Sequence, residues 1–537
     1  MIAPSFRTYL IAAAALAATL GPARAQSPAA PGGSAAGDSV PLYRAALGPF
    51  TRRITTASPD VQAYFDQGVQ QMFAFTPTDA VRSFRAAARR DSACAMCAWG
   101  EAWALGAYLN EPMRPANAAP AHAAARRAVR LARGAATPEE QALVAAMAAR
   151  YEPVHDAGRR RTLDTAYARA LERAHRTHPR DHDIATLYAD ALMLLEPRRG
   201  AWDLATPSVR RIHEVLLEVL AADLSHPGAC HLLIHATEST ARPELAEPCA
   251  DLLGLAIPGA SHINHMPSHT YNRVGRWGDA VRANIHAWHS DQRAEHGEGF
   301  AIYPGHNLHM LLFAASMDGQ GAIAMQAGRD YARIAPGGTF LPALAYIRFG
   351  RWGDVLALPD APPQPVTRGF WSFARGYAHL RRGAADSARV YAAVVDSIAA
   401  AAPAATFRFN TAHLLLGTLG GILRAELHRA AGRLPEALAD LERAVMLEDS
   451  LIYDEPEPLP FSARDWLGAA LLEAHRPADA EAVYRASLAD HPRNGWSLFG
   501  LAQALEAQGR HGDATRARAE FERSWARADV WLRSSRY

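Results

Sequence analysis

The 537-residue chain predicts an all-α fold, a solenoid of stacked helical hairpins. Three observations predict it. A six-residue phrase recurs: Gly275-Arg-Trp-Gly-Asp-Ala280 returns as Gly350-Arg-Trp-Gly-Asp-Val355. Looser copies are Gly432-Arg-Leu-Pro-Glu-Ala437, His475-Arg-Pro-Ala-Asp-Ala480 and Gly509-Arg-His-Gly-Asp-Ala514. Each copy sits between stretches whose apolar residues follow helical spacing. Equivalent residues, Ala480 and Ala514 or Leu467 and Leu501, are 34 residues apart. A fixed period in that range marks a repeat array, and the Ala-rich composition favours helix over strand.

Taken in order, the first 25 residues read as a cleavable signal peptide. Arg7 gives a positive start, Tyr9 to Leu20 is an apolar run of 12 residues, and Ala23-Arg24-Ala25 is a small-x-small cleavage site. The expectation is a periplasmic or secreted protein. The run is too short to span a bilayer, and no later stretch reaches about 18 apolar residues, so no membrane insertion is expected. Residues 26–45, rich in Ser, Ala, Gly and Pro, read as a flexible lead. Residues 46–425 read as a helical repeat region and residues 426–537 as C-terminal repeats. Tyr64 to Asp91 is an early hairpin; between Asn110 and Arg210 helices are expected without clean repeats. Asp454-Glu-Pro-Glu-Pro-Leu-Pro460 must be a loop, because its prolines exclude helix.

The formal net charge of +2 gives no electrostatic case for nucleic acid. All 56 basic residues are Arg, which coding bias explains. The four cysteines are Cys94, Cys97, Cys230 and Cys249. In an oxidising compartment pairing is the default. Cys94-Ala-Met-Cys97 lacks the His of a c-type haem attachment site and a thioredoxin-like strand context, so it reads as a local disulfide or two buried thiols. Cys230 and Cys249 suit a disulfide between facing helices. No nucleophile elbow, phosphate-cradling Gly loop or dinucleotide fingerprint is present.

The period, the Gly turn and the small residue five positions later resemble the tetratricopeptide repeat (TPR). That resemblance implies a numbering in which the turn Gly is position 15 and the small residue position 20. It also implies that positions 2, 5, 9 and 12 of the first helix face the concave groove. Anchored on Gly275 and Ala280, those positions take His262, His265 and His269. The next hairpin, anchored on Gly319 and Ala324, places His306 and His309 at positions 2 and 5. The preceding one, anchored on Ala246, places His231, His235 and Glu238 at positions 5, 9 and 12. Seven imidazoles and one carboxylate are thereby aimed at one groove segment. The C-terminal repeats carry Ser462, Asp465 and Ala469, then Trp496, Phe499 and Gln503 there instead.

Neighbouring helix axes lie about 8–10 Å apart, so imidazoles from adjacent hairpins can meet on one ion or two. The expected cofactor is a divalent transition metal, Zn, Cu or Fe, all of which imidazole suits. His231-x3-His235-x2-Glu238 forms a compact three-ligand face, and Glu238 is the catalytic candidate, as a ligand, an orienting group or a base. The expected partner is a small molecule or peptide in the groove. A centre with an open position would activate water or dioxygen. Two rivals compete: a structural network of His with Asn264, Asn307 and Glu238, or a non-catalytic peptide scaffold with His and Arg273 as donors to a carboxylate. Pro267 falls inside the expected helix and suits a first helical position, which would leave His262 and His265 on an extended approach. His226, before Pro227, reads as a turn residue, and His286, His289 and His296 fall outside the groove.

The segments CAMCAWGEAWALG, HMPSHTYNRVGRWGDAVRANIHAWHSD, PGHNLHMLL and NGWSLFGLAQALEAQGR are similar to a family of exported bacterial TPR proteins. The resemblance implies the fold and transfers no mechanism. In one place the chain departs from it: Phe75-Thr76-Pro77 stands where Phe-Asn-His is expected.

Overall fold

The computed structural model describes residues 40–197 and 202–537, so the expected signal segment and the lead as far as residue 39 lie outside the described residues. The described chain is an all-α, TPR-like solenoid; a two-stranded pair, Thr406–Phe407 with Asn410–Thr411, is its one small sheet. Helices consecutive in sequence pack on one another. Pro59–Phe73 pairs with Pro77–Arg90, Pro304–Met317 with Gly321–Ile334, Ala463–Glu473 with Pro477–Asp490 and Gly495–Ala507 with His511–Ser524.

The recurring phrase works through two positions. Its glycine ends the first helix in the left-handed region, with φ of 74° at Gly275, 67° at Gly350 and 71° at Gly509. In the copy that lacks glycine, His475 takes the same conformation at φ 56°. The small residue five places on, from Ala280 to Ala514, is buried in every copy and lets the two helices close. Between the early repeats, Phe84 fills the space left by Gly68 and Gly100, and Tyr484 does the same between Gly468 and Gly500. Both cysteine pairs are disulfides, Cys94–Cys97 and Cys230–Cys249. Among the described residues no helix is long and apolar enough to cross a membrane.

The solenoid curls until its C-terminal repeats meet its middle. Trp277 Nε1 donates to the Pro492 carbonyl and Trp496 Nε1 to that of Ser316, each at 2.9 Å. Arg527 grips Asp318 at 2.6 Å, and Arg348 pairs with Asp465 at 2.8 Å. Residues 525–537 lie over the inner positions of the last repeats. Trp525 and Tyr537 flank Trp496, and Ser535 bonds to Tyr484 and to the Asp465 carbonyl.

Gly275 sits at this closure. A Cβ there would lie 2.1 Å from the Pro492 carbonyl oxygen, whereas one at Gly509, with the same backbone conformation, would meet nothing within 4 Å. Gly509→Ala should therefore cost only the left-handed penalty of about 1–2 kcal/mol. Gly275→Ala should cost clearly more, because the repeats must also separate. Equal denaturation midpoints for the two variants would contradict the closure.

Two expectations are corrected. Residues 40–45, assigned to the flexible lead, are docked: the Val40 carbonyl accepts the Tyr64 hydroxyl at 3.0 Å, and the Tyr43 amide donates to Gln67 at 2.9 Å. The approach to Pro267 is helical rather than extended. Ser261–His265 forms a short helix and Pro267–Val274 continues it, with Met266 also helical. Proline at the first position of the second segment has no amide to satisfy, so the chain kinks there without leaving helical register.

Candidate metal centre

Because the register survives the kink, His262, His265 and His269 share one face. The helices Pro227–Thr237 and Pro304–Met317 flank it, carrying His231 and His235 on one side and His306 on the other. The result is one hollow with six imidazoles in two groups of three. In each group one ligand atom per residue lies within 4.8 Å of the others: His231, His235 and His262, then His265, His269 and His306. The groups adjoin, with ring centroids 5.6 Å apart for His262 and His265 and 5.8 Å for His235 and His269.

Outer partners fix which nitrogen faces inward. His231 Nδ1 donates to the Phe73 carbonyl at 2.6 Å, and His235 Nδ1 to Glu238 at 3.0 Å. His265 Nδ1 donates to Asn284 Oδ1 at 3.0 Å, since the Asn284 amide nitrogen is already committed to the Ala280 carbonyl. His269 Nδ1 faces two carboxylates, Glu238 at 2.8 Å and Glu455 at 3.1 Å. In a neutral imidazole whose Nδ1 donates, Nε2 carries the lone pair. The inward Nε2 atoms of His269 and His306 stand 2.7 and 3.1 Å from that of His265. Donors about 2.0–2.1 Å from one tetrahedral ion are roughly 3.3 Å apart, so these two separations need to widen by well under 1 Å.

Burial, reinforced by neighbouring imidazoles, holds His262, His265 and His306 well below the usual imidazole range, so they are neutral. For His269 burial acts in the same direction, but Glu455 and Glu238 outweigh it and the ring is pushed up to about 9. Without an ion, His269 is therefore the cation that donates Nε2–H to His265.

Two cavities reach the hollow. A small one, lined mainly by Phe73, Phe75, Trp103 and Tyr108, ends at His231. A second cleft is lined by His269, Arg273, Tyr453, Glu455 and Glu457 together with Trp277, Met310 and Phe313. Backbone strain concentrates here. Among the described residues five non-glycine residues have positive φ. Phe75 stacks on His262 and His235, Tyr303 meets His262 edge-on, and Arg408 pairs with Asp454 in the wall of the cleft. Such strain, of order 1–3 kcal/mol per residue, collects at functional sites.

Six of the seven sequence-predicted histidines thus meet. His309, one turn beyond His306, does not join them: its ring neighbours are Tyr331 and Phe407, at 6.4 and 6.3 Å. Glu238 accepts from His235 Nδ1 through one oxygen, and its other oxygen lies 2.8 Å from His269 Nδ1, where Glu238, His269 and Glu455 form a third possible ligand group. The network with Asn264 and Asn307 takes a different form. Asn264 accepts from Ser290 and Asn307 donates to Asp291, so both tie their helices to Trp277–Glu295 instead of to the imidazoles. His226 caps the helix Pro227–Thr237 through Ala229, while His286, His289 and His296 are exposed. Sequence reasoning missed Glu455, Tyr303 and the stacking role of Phe75.

No family model and no curated protein matches the chain. Similar solved structures include the APC/C hetero-tetramer Cut9–Hcn1, at 10% identity and TM-score 0.27, covering 88% of each chain. The P58(IPK) TPR domain is 11% identical with a TM-score of 0.22, over 84% of this chain and 99% of that one. Naa15/Naa10 bound to HypK-THB is 12% identical with a TM-score of 0.22, over 87% of this chain and 70% of that one. The TPR-like fold rests on the chain's own hairpins, and no residue of the hollow draws its reading from these likenesses.

Proposed function

We infer that this chain is a metal-binding solenoid whose groove holds a transition-metal ion on His265, His269 and His306, with a small-molecule site in the adjoining cleft. The observation that carries the reading is the convergence of three imidazole Nε2 atoms, on buried His265 and His269 and half-buried His306, with the outer nitrogens of the first two tied by Asn284, Glu238 and Glu455. Ligand histidines are oriented in this way, by an acceptor on the far nitrogen. Three protein ligands leave an ion a position for water or substrate, and the cleft lined by Arg273 and Glu457 supplies access. Metal-dependent hydrolysis or oxidation is the chemistry such a site supports. The peptide-scaffold alternative has less support, because residues 525–537 of the chain already cover Trp496 and Asp465 at inner positions of the last repeats.

Elemental analysis of protein purified without a His tag tests this. At least one equivalent of Zn, Cu or Fe per chain is expected. Clearly substoichiometric metal, not restored by adding these ions to the purified protein, would end the metal reading.

A further inference from the structure

The second group of histidines, His231, His235 and His262, goes unused in that reading, and its geometry points to a second ion. His231 and His235 have their Nδ1 atoms occupied by the Phe73 carbonyl and Glu238, which directs both Nε2 atoms toward His262. Ring centroids lie 4.8 Å apart for His231 and His235 and 4.9 Å for His231 and His262. His262 itself is 2% exposed, and neither of its ring nitrogens has a hydrogen-bond partner. An unsatisfied buried polar atom is costly, and an ion held on one nitrogen of His262 would supply a partner that the ring lacks. Phe75 covers the group, 4.3 Å from His231 and stacked on His235 at an interplanar angle of 4°.

Resting on the metal reading above, we propose that the hollow holds two adjacent ions, each on three imidazoles, and that the pair is copper. Glu238 links the two groups from outside, with one oxygen on His235 and the other on His269. It orients a ligand of each ion without binding either. The donor set decides the metal class. Oxygen-preferring ions need carboxylates or carbonyls, and paired iron or manganese in helical proteins is held largely by Glu. Here the six inward donors are imidazole, and for nitrogen donors affinity peaks at copper in the divalent series.

The test is titration of metal-free protein with Cu(I) under anaerobic conditions against a chromophoric chelator. Wild-type chain should take up two equivalents. His262→Ala and His306→Ala should each take up one, and the double variant none. Uptake of one equivalent by wild type, unchanged in His262→Ala, would overturn the second ion while leaving the first intact; uptake of none by wild type would fail both readings. Electron paramagnetic resonance of the Cu(II) protein gives an independent readout. Two adjacent ions should show far fewer than two spins per chain, and His262→Ala should show one full spin. Two full, non-interacting spins in wild type would overturn the adjacency. Preferential loading of zinc from an equimolar mixture with Cu(II) would overturn the assignment to copper.

Discussion

A His265→Ala variant should lose one full equivalent of bound metal. His265 is the centre of its group, because its Nε2 is the atom that both His269 and His306 approach. Removing an outer partner of a metal ligand costs about 10–100-fold in affinity, and removing a ligand itself should cost more than that. Structural and ligand roles separate in stability measurements. Without metal, the truncation removes the N–H that Asn284 Oδ1 accepts and should cost about 1–3 kcal/mol. With metal at roughly 100 times its dissociation constant, wild type should gain about 2.7 kcal/mol, and the variant should gain less. His286→Ala, exposed on the helix Trp277–Glu295, serves as the unaffected control. If His265→Ala keeps its metal and loses only stability, the imidazoles are a structural network.

The sequence carried this far for a physical reason. Side chains three and four residues apart share one helical face, so counting from Gly275 placed His262, His265 and His269 together without coordinates. The same count from Ala246 and Gly319 worked because TPR-like hairpins stack in constant register. It failed at His309, whose ring lies by Tyr331 and Phe407 instead of the other imidazoles. Pro267 misled in the other direction. Its preference for a first helical position was read correctly, but the residues before it proved helical as well. Glu455 was out of reach. It lies in a loop that sequence identified, yet only the curl of the whole solenoid brings that loop to His269, from 186 positions farther along the chain. Superhelical curvature sums small rotations over many repeats, and no local pattern encodes the total. Phe75 was noticed as a departure from the resembling family, while its left-handed backbone and its stacking on the imidazoles needed coordinates.

That dependence on curvature makes the closure itself worth breaking, and Asp465→Ala should be the most destabilising single change among those considered. Arg348 and Asp465 are joined at 2.8 Å, with side chains 1% and 0% exposed. The guanidinium also lies 3.8 Å over the Trp496 ring, and the other Asp465 oxygen accepts the Ser497 hydroxyl at 3.2 Å. Removing one partner of such a pair strands a buried charge and costs about 3–5 kcal/mol. Burial already pushes the Arg348 guanidinium down from its ordinary range, with Asp465 acting to restore it. The loss should appear in the urea midpoint followed by tryptophan fluorescence, since Trp466 and Trp496 lie beside the pair. A well-packed double variant, Arg348→Met with Asp465→Leu, should recover most of it, because desolvation of two ions offsets much of a buried pair's attraction. A loss below about 1 kcal/mol in Asp465→Ala would mean the pair is hydrated and the closure loose. The curl carries Glu455 to His269, so loosening it should also weaken metal retention without touching any imidazole. A variant that loses stability yet holds metal as tightly as wild type would show that the hollow is set by its own three hairpins alone.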